Sequence, residues 1–110
     1  MLASDIAKNV IYKEVKRLYY EKLTELQKTT LDDPIIVQMV NDLYHKNKND
    51  ISNMIRNEIR QKMTGNKYPG DNYVEELIFD IMEDEELAKN RVKLEIKLYQ
   101  KNKLKTQQLN

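Results

Sequence analysis

Apolar residues recur along most of this chain at three- and four-residue intervals, the spacing that places them on one face of an α-helix. In the first stretch Ile11, Val15, Leu18 and Leu26 mark such a stripe with Lys22 in phase, and Tyr12, Tyr19 and Leu23 widen it. Ser4 stands where a helix N-cap belongs, so the pattern predicts a helix over residues 4–28. Thr29-Thr30-Leu31-Asp32-Asp33-Pro34 then punctuates the chain. Two β-branched residues weaken the helix end. Asp33 followed by Pro34 reads as the cap and first position of a new helix, where a proline's missing N–H is not needed.

Ile36, Val40, Leu43 and Tyr44 carry the second stripe. Lys46-Asn47-Lys48-Asn49-Asp50 holds no apolar residue, so either one helix continues through a polar patch or it breaks near Asn49 and restarts on an Asp50 cap. Ile51, Met54, Ile55, Ile59 and Met63 form the next stripe, which Gly65 ends as a residue just past a helix C-terminus does. Residues 65–72 gather both glycines and the second proline and read as a loop; Asn72 with Glu75 three positions on resembles a capping box. Val74, Leu77, Ile78, Ile81 and Met82 follow at helical spacing, up to the polar run Glu83-Asp84-Glu85-Glu86.

The next segment carries two periods at once. Val92, Ile96 and Tyr99 keep a helical phase, whereas Val92 to Leu98 alternates apolar with charged residues, as a strand does. A strand needs a partner, and no second strand candidate occurs in the chain, which favours helix. The fold expected is all-α: a small irregular helical bundle of three main segments, three to five helices once breaks are counted, with an extended C-terminal segment as the alternative. Residues 1–105 read as one domain and residues 106–110 as a frayed tail.

Composition narrows the function classes. The chain has 110 residues, 34% of them charged, with two Gly, two Pro, one Phe, no Trp and no Cys. So few turn formers suit long helices. The scarcity of bulky apolar side chains leaves seven tyrosines to fill part of the core and points to a thin core completed by a partner or a second copy. Absence of Cys excludes disulfides, thiolate metal sites and a thiol nucleophile. Neither a secretory signal nor a membrane-spanning run is visible, which places the expected location inside the cell, in the cytoplasm.

Charge is sorted sharply near the C-terminus. Asp71 to Leu87 holds eight acids and no base; Ala88 to Asn110 holds seven bases and one acid, Glu95, although the whole chain is only +1. Lys89, Lys93, Lys97 and Lys101 fall four apart and make one basic ridge on a helix, accompanied by Tyr99. Such a ridge follows phosphates, contacts an acidic protein surface, or is solvated. A single aromatic is thin support for the stacking platforms of nucleic-acid binders.

Residues suited to catalysis are sparse. His45 is the sole histidine, with Asp42 one turn away, the arrangement of a solvated side chain rather than an oriented base. Ser4 and Ser52 sit in no nucleophile elbow. Four consecutive acids at residues 83–86 point in different directions and lack the alternating ligands and central glycine of a calcium loop. No glycine-rich phosphate cradle is present. An enzyme, a cofactor, a metal and a small-molecule substrate are therefore not expected. The reading is a non-enzymatic helical interaction or assembly module, a homodimer or a small subunit of a larger complex. The candidate partner-binding residues are Tyr12, Tyr19, Tyr44, Lys89, Lys93, Lys97, Tyr99 and Lys101. The alternative is a nucleic-acid-associated protein using residues 89–105.

Leu23 and Leu26, then Asp33-Pro34-Ile35, then Val37, Val40 and Leu43 give residues 15–46 a pattern that resembles the Dpy-30/RIIa dimerisation and docking hairpins. The resemblance implies an X-shaped four-helix dimer gripping an amphipathic partner helix.

Overall fold

The computed structural model describes residues 2–26 and 32–108, with side chains through Lys103. Five α-helices follow in order: α1 (Ala3–Glu25), α2 (Asp33–Lys46), α3 (Lys48–Lys62), α4 (Asp71–Glu83) and α5 (Glu85–Gln108). A 3-10 turn, Gly65–Lys67, sits between α3 and α4, and the described residues include no strand. The all-α bundle expected from the spacing is therefore observed, at the upper end of the helix count.

Local chemistry explains most boundaries. Pro34 lies in the first turn of α2, where its ring suits the backbone and no N–H is required. The polar patch breaks the helix at Asn47, which serves as the C-cap of α2 and the N-cap of α3. Asn47 Nδ2 and its backbone N–H both donate to the Leu43 carbonyl, at 2.9 and 3.0 Å, satisfying an otherwise orphaned acceptor. Gly65 (φ +62°) and Gly70 (φ +100°) supply the positive φ values that turn the chain into α4. Asp84 separates α4 from α5, and its Oδ1 accepts from the Glu86 and Leu87 N–H groups at 3.0 and 3.2 Å.

Four expected caps do not form. Asp33 is the first residue of α2, behind the N-cap Asp32, and Asp50 lies inside α3, whose N-cap is Asn47. Ser4 lies inside α1, whose N-cap position is Leu2. Asn72 lies inside α4, whose N-cap is Gly70, and Glu75 is drawn away to Arg56 of α3. Two parallel contacts of 2.6 and 2.8 Å join Arg56 to Glu75, and this charge-assisted hydrogen bonding holds the Glu75 carboxyl below the usual carboxylate range.

α1 is the central element and packs against all four others; α2 also packs along α5, and α3 against α4. Ile51, Ile55 and Ile59 of α3, spaced by four, are fully buried, as are Ile11 and Val15 of α1. From α2, Val40 and Tyr44 enter the same core, and Val92 and Ile96 enter from α5. α5 runs to Gln108, through most of the stretch expected to fray; residues 109–110, like residues 27–31, lie outside the described residues.

The molecule is flat and long, 53 × 30 × 19 Å. Its thickness is that of two helical layers, and α1 and α5, its two longest helices, are each about 35 Å long at 1.5 Å per residue. The radius of gyration is 16.3 Å, against about 13 Å for a compact chain of this length.

Tyr19 and Tyr44 are core residues, 2% and 0% exposed. Burial is the main cause that pushes both phenols up to about 12, with Asp84 adding to Tyr44, and Tyr20, Tyr99, Asp33 and Glu95 adding to Tyr19. In the unfolded chain they ionise near pH 10. Between pH 10 and 12 the unfolded state therefore binds fewer protons than the native state, and stability falls as pH rises through that window. The expected result is cooperative alkaline unfolding with simultaneous appearance of phenolate absorbance from these two tyrosines. Their ionisation in advance of any loss of helical circular dichroism would contradict it.

Candidate interaction surface

α2 and α5 lie side by side and leave a hollow of about 550 Å³ between them. Its α2 wall carries Pro34, Val37 and Gln38, with Asp33 at one end; its α5 wall carries Lys89, Lys93, Ile96, Lys97 and Gln100. The helical phase of α5 explains this arrangement. Val92 and Ile96 point into the core, so residues one step round the helix, at 89, 93 and 97, fall along the edge facing α2. An apolar floor of Val37 and Ile96 is thus rimmed by three lysines. Among the described residues no carboxylate lies within 4 Å of any of the three ammonium groups.

The acids of the C-terminal region are distributed differently. Asp71, Glu75 and Glu83 of α4 face Arg60, Arg56 and Lys48 of α3, at 3.7, 2.6 and 3.9 Å. Among the described residues the acidic and basic halves seen in the sequence therefore form no ion pair with each other. α3 takes up part of the negative half, and Lys89, Lys93 and Lys97 of the ridge on α5 have no carboxylate partner among the described residues.

Glu95, the one acid of the basic segment, is buried between helices with its side chain 2% exposed. Its Oε1 lies 2.9 Å from Arg91 Nη2. Yet both Oε1 and Arg91 Nε lack a hydrogen-bond partner among the described residues, so the pair is close in Coulomb terms but poorly aligned as a hydrogen bond. The Arg91 guanidinium lies 4.9 Å over the Tyr12 ring, a cation–π contact that ties α5 to α1.

The candidate residues separate accordingly. Lys89, Lys93 and Lys97 come together along the groove, and Lys101 continues the ridge beyond it. Tyr12 is half-buried beneath Arg91. Tyr99 is 37% exposed and packs edge-on to Tyr20 at 6.3 Å. Tyr19 and Tyr44 belong to the core and offer a partner no surface, a correction to their candidacy that follows from their position on the α1 and α2 inner faces. Tyr44 donates its hydroxyl to Met82 Sδ at 3.3 Å.

Spacing along the chain did not mark Asp33, Pro34, Val37 and Gln38 as groove residues, because it does not say which helix lies beside the ridge. Nor did it mark Arg91 and Glu95 as a buried pair, although an acid three residues after Val92 in the core phase was a visible signal.

His45 is exposed, and Asp42 accepts from Gln38 at 2.8 Å. Among the described residues no group of three His, Cys, Asp or Glu side chains is placed to hold a metal ion, and no helix is long and apolar enough to cross a membrane. Set against known proteins, the chain matches no family model, no curated protein and no solved structure.

Proposed function

We propose that this protein is a helical interaction module that docks an acidic amphipathic helix in the α2–α5 groove. One observation carries the reading: Lys89, Lys93 and Lys97, none of them within 4 Å of a carboxylate among the described residues, rim an apolar floor between two helices, with Asp33 at one end. Apolar side chains of a partner helix fill the floor, and its acids meet the lysines, which set orientation and on-rate more than affinity.

The test is a fluorescence-anisotropy titration with a synthetic helix bearing leucines on one face and glutamates on the rest. Binding is expected to weaken about tenfold or more when Lys89, Lys93 and Lys97 are reversed to Glu. The same lysine ridge favours a polyanion as the second reading. A single-stranded oligonucleotide that binds more tightly than the helix, with affinity falling steeply with salt, would select it. Unchanged peptide affinity in the reversed variant would remove the groove reading.

A further inference from the structure

We propose that the occupant of the α2–α5 groove is α4 of a second copy of this chain; the proposal rests on the groove being a helix-docking surface. α4 has no Lys or Arg, and its neighbouring α3 engages only some of its acids. Glu76 and Asp80 have no cationic partner among the described residues. They lie one turn apart on the face opposite the buried Val74, Ile78 and Ile81. Tyr73 and Phe79 flank that acidic stripe and are 52% and 65% exposed, and Phe79 is the chain's sole phenylalanine. A large aromatic left in water inside an acidic face has the chemistry the groove calls for: an apolar group for the Val37 and Ile96 floor, with carboxylates beside it for the lysines.

The dimensions agree as well. Glu76 and Asp80 repeat at the same four-residue interval as Lys93 and Lys97. The thirteen residues of α4 span about 20 Å, and Lys89 to Gln100 spans about 17 Å along α5. Within one molecule α4 is held on α1 and α3, so its outer face is presented to another copy's groove rather than to its own. Each copy carries one α4 and one groove, so a two-fold pair makes the contact twice.

The test is the solution mass of the full chain by light scattering after gel filtration, over a concentration series at low and high salt. A dimer that dissociates as salt rises is expected. Phe79→Glu, on an exposed side chain, should leave the helical circular dichroism unchanged and raise the dimer dissociation constant by about tenfold or more. The double variant Lys93→Glu, Lys97→Glu should do the same. An equimolar mixture of the two variants should dimerise more tightly than either variant alone, because an intact α4 from one then meets an intact groove from the other at one of the two contacts.

A wild type that stays monomeric throughout, a dimer indifferent to Phe79→Glu, or a mixture that dimerises no more tightly than either variant alone overturns the proposal. Each of those results leaves the docking reading to the synthetic-helix titration. That reading fails only there, so the two failures are told apart.

Discussion

Arg91→Ala is expected to destabilise the fold by about 3 kcal/mol, the lower end of the range for breaking a buried ion pair. The cost comes from Glu95. Its side chain is 2% exposed, and without the guanidinium its carboxylate stays in a low-dielectric interior with Oε1 already lacking a hydrogen bond. The lower end applies because the Arg91 side chain keeps 25% of its surface in solvent, so water screens part of the interaction. The variant also loses the cation–π contact to Tyr12. In contrast, Arg91→Met with Glu95→Leu removes both desolvated charges together, and the expected change is neutral to a gain of about 1–4 kcal/mol. Urea unfolding followed by circular dichroism measures both. A loss below about 1 kcal/mol for Arg91→Ala would mean that the pair behaves as a surface salt bridge, and a large loss in the double variant would mean that it contributes net stability.

Ile55→Ala carries the second large effect. Ile55 is fully buried on the inner face of α3, between fully buried Ile51 and Ile59, in a helix that packs on both α1 and α4. Truncation removes apolar contact and leaves a cavity that a close-packed two-layer slab closes only partly, a cost of about 2–5 kcal/mol. Against a total of roughly 5–15 kcal/mol for a domain, that loss moves the urea midpoint far while the slope stays constant. Met54→Ala, one residue away on the exposed side, is the matched control and should cost well under half as much. Equal losses at the two positions would place the face of α3 that meets α1 incorrectly.

Helical periodicity was the most legible signal. Ile11, Val15, Leu18, Val40, Ile51, Ile55, Ile59, Val74, Ile78 and Ile81 stand in predicted stripes and are buried. The Asp33-Pro34 start of α2 and the glycine loop before α4 follow from backbone chemistry that acts locally. The break in the polar patch came at Asn47, ahead of the expected Asp50 cap, because the Asn47 side chain reaches back to the Leu43 carbonyl. The apolar–charged alternation of Val92 to Leu98 was ambiguous for a physical reason. As a helix it buries Val92 and Ile96 and leaves Leu94 and Leu98 exposed, so α5 carries apolar residues on two faces.

Of the candidate surface, only one wall was readable. The four-residue spacing of Lys89, Lys93 and Lys97 determines a ridge on any helix that forms there, because 3.6 residues per turn aligns such positions whatever the surroundings. Composition likewise determined an all-α chain short of bulky core residues. Tertiary structure alone decided that α2 forms the opposite wall, that α3 and not α5 engages acids of α4, and that Tyr19, Tyr44 and Glu95 go inside. Periodicity within a helix is a local property of the backbone. Which helix faces meet depends on contacts between residues far apart in sequence, and no spacing along the chain encodes them.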